Sequence, residues 1–377
     1  AQVWLSQLTF RHGNVGGARF SQDGQAIVYA AAWDGEPYRL YSTGVGSYES
    51  RPIDLPPADL LALSRSGQLA ISVSRPAVDG FLPNGTLAVV ALAGGAPRAL
   101  QENVVGVDWD PRSETMSLVR RIGGQARLEF PVGTVVHEAP IVLAPRVSRD
   151  GNQVCFFAGQ TYGTLMVAER GGRARILANG FGRAADCAWS ADGREVWVSS
   201  STESDGRGTG RGAPPTHMNL EAISLSGTRR LLHAFESYLS LKDISSDGRV
   251  LMSAGTLRYS VHGSERPGVS ERDLSVFDAT RVGHLREDGR QLLLFDNSAG
   301  VGRDRLFLRP MDGSPAVRLS PGYPLGLSPD GAWVAILGDG ASNRGVSNKL
   351  TLVPTGAGTA RTIDLPLEIR RLNPLGR

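Results

Sequence analysis

Arg19, Asp108, Arg146, Asp243 and His284 share one position of a recurring turn. Each stands two residues before the serine, or its equivalent, of an apolar–Ser–x–Asp–Gly pattern. The other copies carry Ala62, Ala188 and Gly326 there. Cations, carboxylates and an imidazole gathered in one register can grip a polar peptide or a small ligand. They can equally neutralise one another as ion pairs that fix neighbouring elements. Trp33, Asp34 and Tyr38, on an early hairpin, are candidates for the rim of such a site, with core packing the alternative for Trp33.

Catalytic patterns are missing. There is no Gly-x-Ser-x-Gly nucleophile turn and no His-Glu-x-x-His metal pair. His12, His137, His217, His233, His262 and His284 lack metal-ligand spacing and read as surface or packing residues. The stretch Gly206-Arg207-Gly208-Thr209-Gly210-Arg211-Gly212 is glycine-rich, but Pro214-Pro215 follows it where a phosphate loop needs a helix. It reads as a flexible insertion over 201–216, a segment suited to partner contact. No catalytic residue, metal or cofactor is expected.

The elements that hold these residues are strands. The chain has 377 residues, 41% hydrophobic, with 47 glycines, 22 prolines and only 20% charged residues, a balance that favours short strands and many turns. A net charge of +3 is weak, and the arginines are interleaved with Asp and Glu. That pattern describes a mixed solvated surface better than a nucleic-acid groove. No apolar run reaches the ~20 residues of a membrane span, and no signal-peptide pattern opens the sequence. Cys155 and Cys187, the two cysteines, read as buried strand residues in neighbouring repeats, with a bridge between them left open.

The turn recurs eight times: Phe20-Ser21-Gln22-Asp23-Gly24, Leu63-Ser64-Arg65-Ser66-Gly67, a worn copy at Trp109-Asp110-Pro111-Arg112-Ser113, Val147-Ser148-Arg149-Asp150-Gly151, Trp189-Ser190-Ala191-Asp192-Gly193, Ile244-Ser245-Ser246-Asp247-Gly248, Leu285-Arg286-Glu287-Asp288-Gly289 and Leu327-Ser328-Pro329-Asp330-Gly331. Asp-Gly is a tight-turn pair, because Asp hydrogen-bonds its own backbone and Gly supplies positive φ. Alternating stretches flank it, as in Ala26-Ile27-Val28-Tyr29-Ala30, and two further strands follow. A spacing of roughly 38 to 55 residues is that of a four-stranded propeller blade. The expectation is an all-β fold, a β-propeller of four-stranded antiparallel blades. Eight repeats over 1–377 make one domain, with seven blades the alternative. In that arrangement the shared register lines the central channel.

Closure is less regular. Trp4 to Phe10 reads as an outer strand, yet the eighth repeat owns its outer strand at Ala360 to Leu365, and Ile369 to Arg377 begins another. Either the chain is a fragment of a longer protein, or one repeat, the worn third, is not a full blade.

These motifs resemble TolB-like bacterial propeller repeats, a WD-repeat-like class, over nearly the whole chain. Gln7-Leu8-Thr9-Phe10-Arg11, Ala31-Ala32-Trp33-Asp34-Gly35, Leu128-Glu129-Phe130-Pro131-Val132-Gly133 and Asp312-Gly313-Ser314-Pro315-Ala316-Val317-Arg318-Leu319 further resemble the propeller region C-terminal to bacterial membrane serine/threonine kinases. The resemblance implies an extracytoplasmic sensor in signal transduction. It would bind a protein, peptide or small molecule at the channel face as a monomer, and meet the membrane only through a segment outside this sequence. The kinase signatures are absent from this chain, so no enzyme is expected here. The rival readings are a lyase or hydrolase with a channel active site, or a propeller gating a catalytic domain elsewhere.

Overall fold

The computed structural model describes residues 5–73, 84–159, 163–201, 217–255, 258–266, 268–296, 305–338 and 346–370. The insertion expected at 201–216 lies outside them, apart from Ser201. Among the described residues there is no helix, and antiparallel sheets of four strands recur along the chain.

Each hairpin is built by its turn. In the first copy Ser21 Oγ donates to Asp23 Oδ1 at 2.6 Å and accepts from Ala26 N–H at 2.9 Å. Asp23 Oδ1 also accepts from Gln25 N–H at 3.0 Å. Gly24 has φ +67°, a left-handed value that only glycine adopts without strain. The same bonds recur from Ser148 to Asp150, Ser190 to Asp192 and Ser328 to Asp330. The worn third copy builds an equivalent turn differently. Asp110 takes the serine's place, accepting from Arg112 N–H at 2.8 Å and from Ser113 Oγ at 2.6 Å.

That repeat is consequently a full blade. Its strands are Arg98–Trp109, Met116–Ile122, Gln125–Glu129 and Val135–Ala139. The first of them also serves as the outer strand of the second repeat, so the two share one seven-stranded sheet. Among the described residues the short repeat is the sixth, whose sheet holds Tyr238–Ile244 and Val250–Gly255. Residues 5–10, expected as strand, form none, although Leu8 packs against the first sheet's core.

The described residues divide into two compact units, one running to Gly255 and one from 258 onward. In the first unit, the innermost strands are Gly13–Phe20, Asp59–Leu63, the inner half of Arg98–Trp109, Ile141–Val147, Arg183–Trp189 and Tyr238–Ile244. Each packs beside the next, and the sixth packs beside the first.

Six apolar cores occupy the seams between repeats. Val28, Leu40, Leu60 and Ile71 join the first and second repeats. Ala62, Leu87, Val107 and Trp109 join the second and third. Val119, Leu128, Val154 and Phe156 join the third and fourth, and Phe157, Leu165, Trp189 and Val198 the fourth and fifth. Ala188, Met218, Leu239 and Leu241 join the fifth and sixth. Ile27, Tyr29 and Trp33 meet Leu251, joining the sixth to the first. Every sheet thereby buries both faces against neighbours, which four short strands cannot achieve alone.

The second unit holds a short hairpin, His262–Gly263 with Arg272–Asp273, and two four-stranded sheets. Leu293, Phe295, Leu306, Val334 and Ile336 form the core between those two sheets.

Candidate functional site: the charged ring and the turn-face groove

The innermost strands of the first unit carry the charges singled out by their register. Arg146, only 7% exposed, lies at the centre. Its Nη2 donates to Asp243 Oδ1 at 2.6 Å, Nη1 donates to the carbonyl of Lys242 at 2.7 Å, and Nε lies 3.5 Å from Asp108 Oδ2. One guanidinium thus ties together the third, fourth and sixth blades. Burial alone would lower its pKa, but Asp108 and Asp243 reverse that and hold it above the ordinary arginine value.

Arg19 is engaged differently. It donates to the carbonyls of Ala18 at 2.8 Å, Lys242 at 3.1 Å and Leu61 at 2.7 Å, spanning the first, second and sixth blades. Burial first, and then repulsion from Arg146, lower its pKa.

The carboxylates also hold backbone. Val147 N–H donates to Asp108 Oδ2 at 2.8 Å, and Phe20 N–H donates to Asp243 Oδ2 at 2.9 Å. The donor in each case is the residue just before the turn serine of the following blade. His284 repeats this relation in the second unit, where Leu327 N–H points to its Nδ1 at 3.4 Å. His284 belongs to the second unit, and Arg19, Asp108, Arg146 and Asp243 to the first.

The remaining candidates fall elsewhere. Trp33 is 5% exposed and part of the core between the sixth and first blades. Asp34 is exposed and paired with Arg11 at 2.8 Å. Tyr38 is partly buried against the core of the first and second blades.

Four residues of the cluster do not stand in the shared register. Asp186 carries a pKa raised by burial, against the pull of Lys242 and Arg19. Asp59, 5% exposed, accepts from Gly17 N–H at 3.0 Å. Arg149 donates to Ile244 O at 2.6 Å and to Ser190 O at 3.2 Å. Every innermost strand contains a bulge against its hairpin partner, as between Ala184 and Asp186 or Leu60 and Ala62. A bulge breaks the two-residue alternation, so counting back from the serine misses groups on its far side.

Arg19, Arg146, Arg149 and Lys242 act on Asp108, Asp186 and Asp243, while Asp59 holds the backbone of Gly17. The guanidiniums are directed at carbonyls and carboxylates of other blades, which makes the cluster a set of cross-ties.

A separate concavity of about 600 Å³ opens on the turn face between the fourth and fifth blades. Arg149, Asp150, Glu169, Arg170, Asp192 and Leu225 are among its walls. Its arginines are occupied. Arg149 bonds the carbonyls named above, and Arg170 bonds Gly151 O at 3.1 Å and the carboxylate of Asp110. Ser148 holds the Asp150 carboxyl below the usual range, and Ser190 does the same for Asp192. Among the described residues no hydrogen bond or ion pair engages the carboxylate of Glu169. The groove is polar, with acceptor capacity to spare.

Among the described residues no group of three or more His, Cys, Asp or Glu is placed to hold a metal ion, and no helix is long and apolar enough to cross a membrane. No family model and no curated protein matches this chain. Among solved structures, the crystal structure of the tricorn protease is similar, with a TM-score of 0.42 and 14% identity. The match covers 97% of this chain and 37% of that one, so this chain spans little more than a third of its length.

Proposed function

We propose that the first unit is a six-bladed, non-catalytic binding propeller that takes up its ligand in the turn-face groove. The observation that carries this reading is the division of labour among the charges. The channel arginines direct their Nη groups to carboxylates and carbonyls of the innermost strands, while Glu169, Asp150 and Asp192 present acceptor oxygens to an open concavity of ligand size. The ligand class that suits it is a protein loop or peptide bearing Lys or Arg. Following the repeat resemblance, the module is the extracytoplasmic sensor of a membrane serine/threonine kinase, with the kinase and membrane segments outside this chain.

The test is thermal unfolding against Arg/Lys-rich peptides, acidic peptides, sugars, nucleotides and divalent ions. A ligand confined to the native state adds about 2.7 kcal/mol at 100 times its Kd. The expected result is a shift with basic peptides that Glu169→Gln and Asp192→Asn abolish. Stabilisation by acidic peptides only, or turnover of any member of the panel, overturns the proposal.

A further inference from the structure

The two cysteines of the chain lie 32 positions apart, yet their side chains meet. Cys155 sits on Gln153–Gly159, the second strand of the fourth blade, where it faces Arg146 and Val167 across the ladders. Cys187 sits on the innermost strand of the fifth blade, opposite Val198. Their Sγ atoms are 3.6 Å apart, both residues are 0% exposed, and Cys187 Sγ also lies 3.3 Å from the carbonyl of Ala144. Phe157, Leu165, Trp189 and Val198 seal the pair from water.

We infer that Cys155 and Cys187 form an inter-blade disulfide when the protein folds under oxidising conditions, clipping the fourth blade to the fifth. The sulfurs are near van der Waals contact, and about 1.5 Å must close to reach bonding distance. A cysteine used as a small hydrophobe needs no second cysteine beside it; here the chain's entire complement is spent on one seam.

The chemistry is thiol–disulfide exchange with a disulfide-carrying oxidant such as oxidised glutathione. One cysteine thiolate attacks the oxidant's S–S bond, forming a mixed disulfide and expelling one thiolate. The second cysteine thiolate then attacks the protein sulfur and expels the other. The two cysteines together lose two protons and two electrons, and the oxidant becomes two thiols. The adjacent Cys155 and then burial raise the Cys187 thiol well above its ordinary range, and both sulfurs are enclosed in the folded chain, so the exchange takes place while the chain is open and the finished bond is then enclosed. The inference does not depend on what the groove binds.

The experiment is refolding of the full-length chain from denaturant in a glutathione redox buffer and, separately, in dithiothreitol. Soluble protein from each is analysed by intact mass, by thiol counting after denaturation and by non-reducing peptide mapping. Oxidative refolding is expected to give a mass lower by about 2 Da, loss of both free thiols, and one cross-linked peptide containing Cys155 and Cys187. Closing a loop of this length is expected to raise the unfolding midpoint by roughly 5 °C or more over the reduced form. Two free thiols in soluble oxidatively refolded protein, or glutathione adducts on separate cysteines, overturn the inference. Replacing either cysteine with alanine is expected to remove the midpoint difference between the two buffers; a difference that survives also overturns it.

Discussion

Asp243 accepts the backbone N–H of Phe20 at 2.9 Å across 223 residues of chain, in the relation by which Asp108 accepts that of Val147 across 39. The third blade treats the fourth as its successor, and the sixth treats the first the same way. One local rule, a carboxylate two residues before the turn reaching the next blade's backbone, thus operates at both short and long sequence separation. The apolar core containing Leu251, Ile27 and Trp33 lies along the same seam.

Arg146→Ala leaves Asp108 and Asp243 facing each other in a poorly solvated space without their common cation. The expected cost is about 3–5 kcal/mol in urea unfolding, because the penalty falls on the stranded carboxylates. Arg146→Lys is expected to recover only part of it, since an ammonium cannot reach both acids and the Lys242 carbonyl in a planar fork.

The pH dependence has two opposing parts. Hydrogen bonds from Ser21, Ser148, Ser190 and Ser328 hold Asp23, Asp150, Asp192 and Asp330 below the ordinary carboxyl value. Their contribution is present above that value and lost as pH falls through the folded one. Asp108 and Asp186 are raised, chiefly by burial. Their protonated forms favour the fold, and that contribution is lost as pH rises through their folded values. Carboxyl titration by carbon NMR should show Asp192 moving up toward the ordinary value in Ser190→Ala, with Asp108 unchanged.

Two turn glycines separate backbone strain from crowding. Gly193 has φ +70° and open space where a Cβ would stand, whereas at Gly151, with φ +71°, a Cβ would meet Asp110 Oδ1 at 2.5 Å. Gly193→Ala should cost only the left-handed penalty of about 1–2 kcal/mol. Gly151→Ala should cost clearly more in the same unfolding assay, because the Asp110 turn and its bond to Arg170 must shift as well.

Much of this architecture was legible in the sequence. The Ser-x-Asp-Gly copies predicted the hairpins because each residue of the turn has a bond to make, and the register of Arg146, Asp108 and Asp243 placed all three in one cluster. The worn third repeat, the candidate for an incomplete blade, has a sound turn built on Asp110, whereas among the described residues it is the sixth repeat's sheet that holds two strands. Asp59 was missed because the bulge between Leu60 and Ala62 breaks the count on which the register rested, and Asp186 because it stands four residues before its turn serine, where the register took the position two before. Trp33 was a rim candidate because exposure cannot be read from an aromatic type alone. The groove was invisible, since its walls come from two blades meeting in space.

The most direct test of the central claim, that the channel charges hold blades together, is a double-mutant cycle on Arg146 and Asp243. Stability would be measured for wild type, Arg146→Met, Asp243→Asn and the double variant by urea unfolding. If these groups are cross-ties, the cycle yields a coupling of about 1–3 kcal/mol and the double variant is less damaged than the sum of the singles. Additive effects within about 0.3 kcal/mol would mean that the pair does not tie the sixth blade to the fourth, and would return these charges to the role of a ligand site.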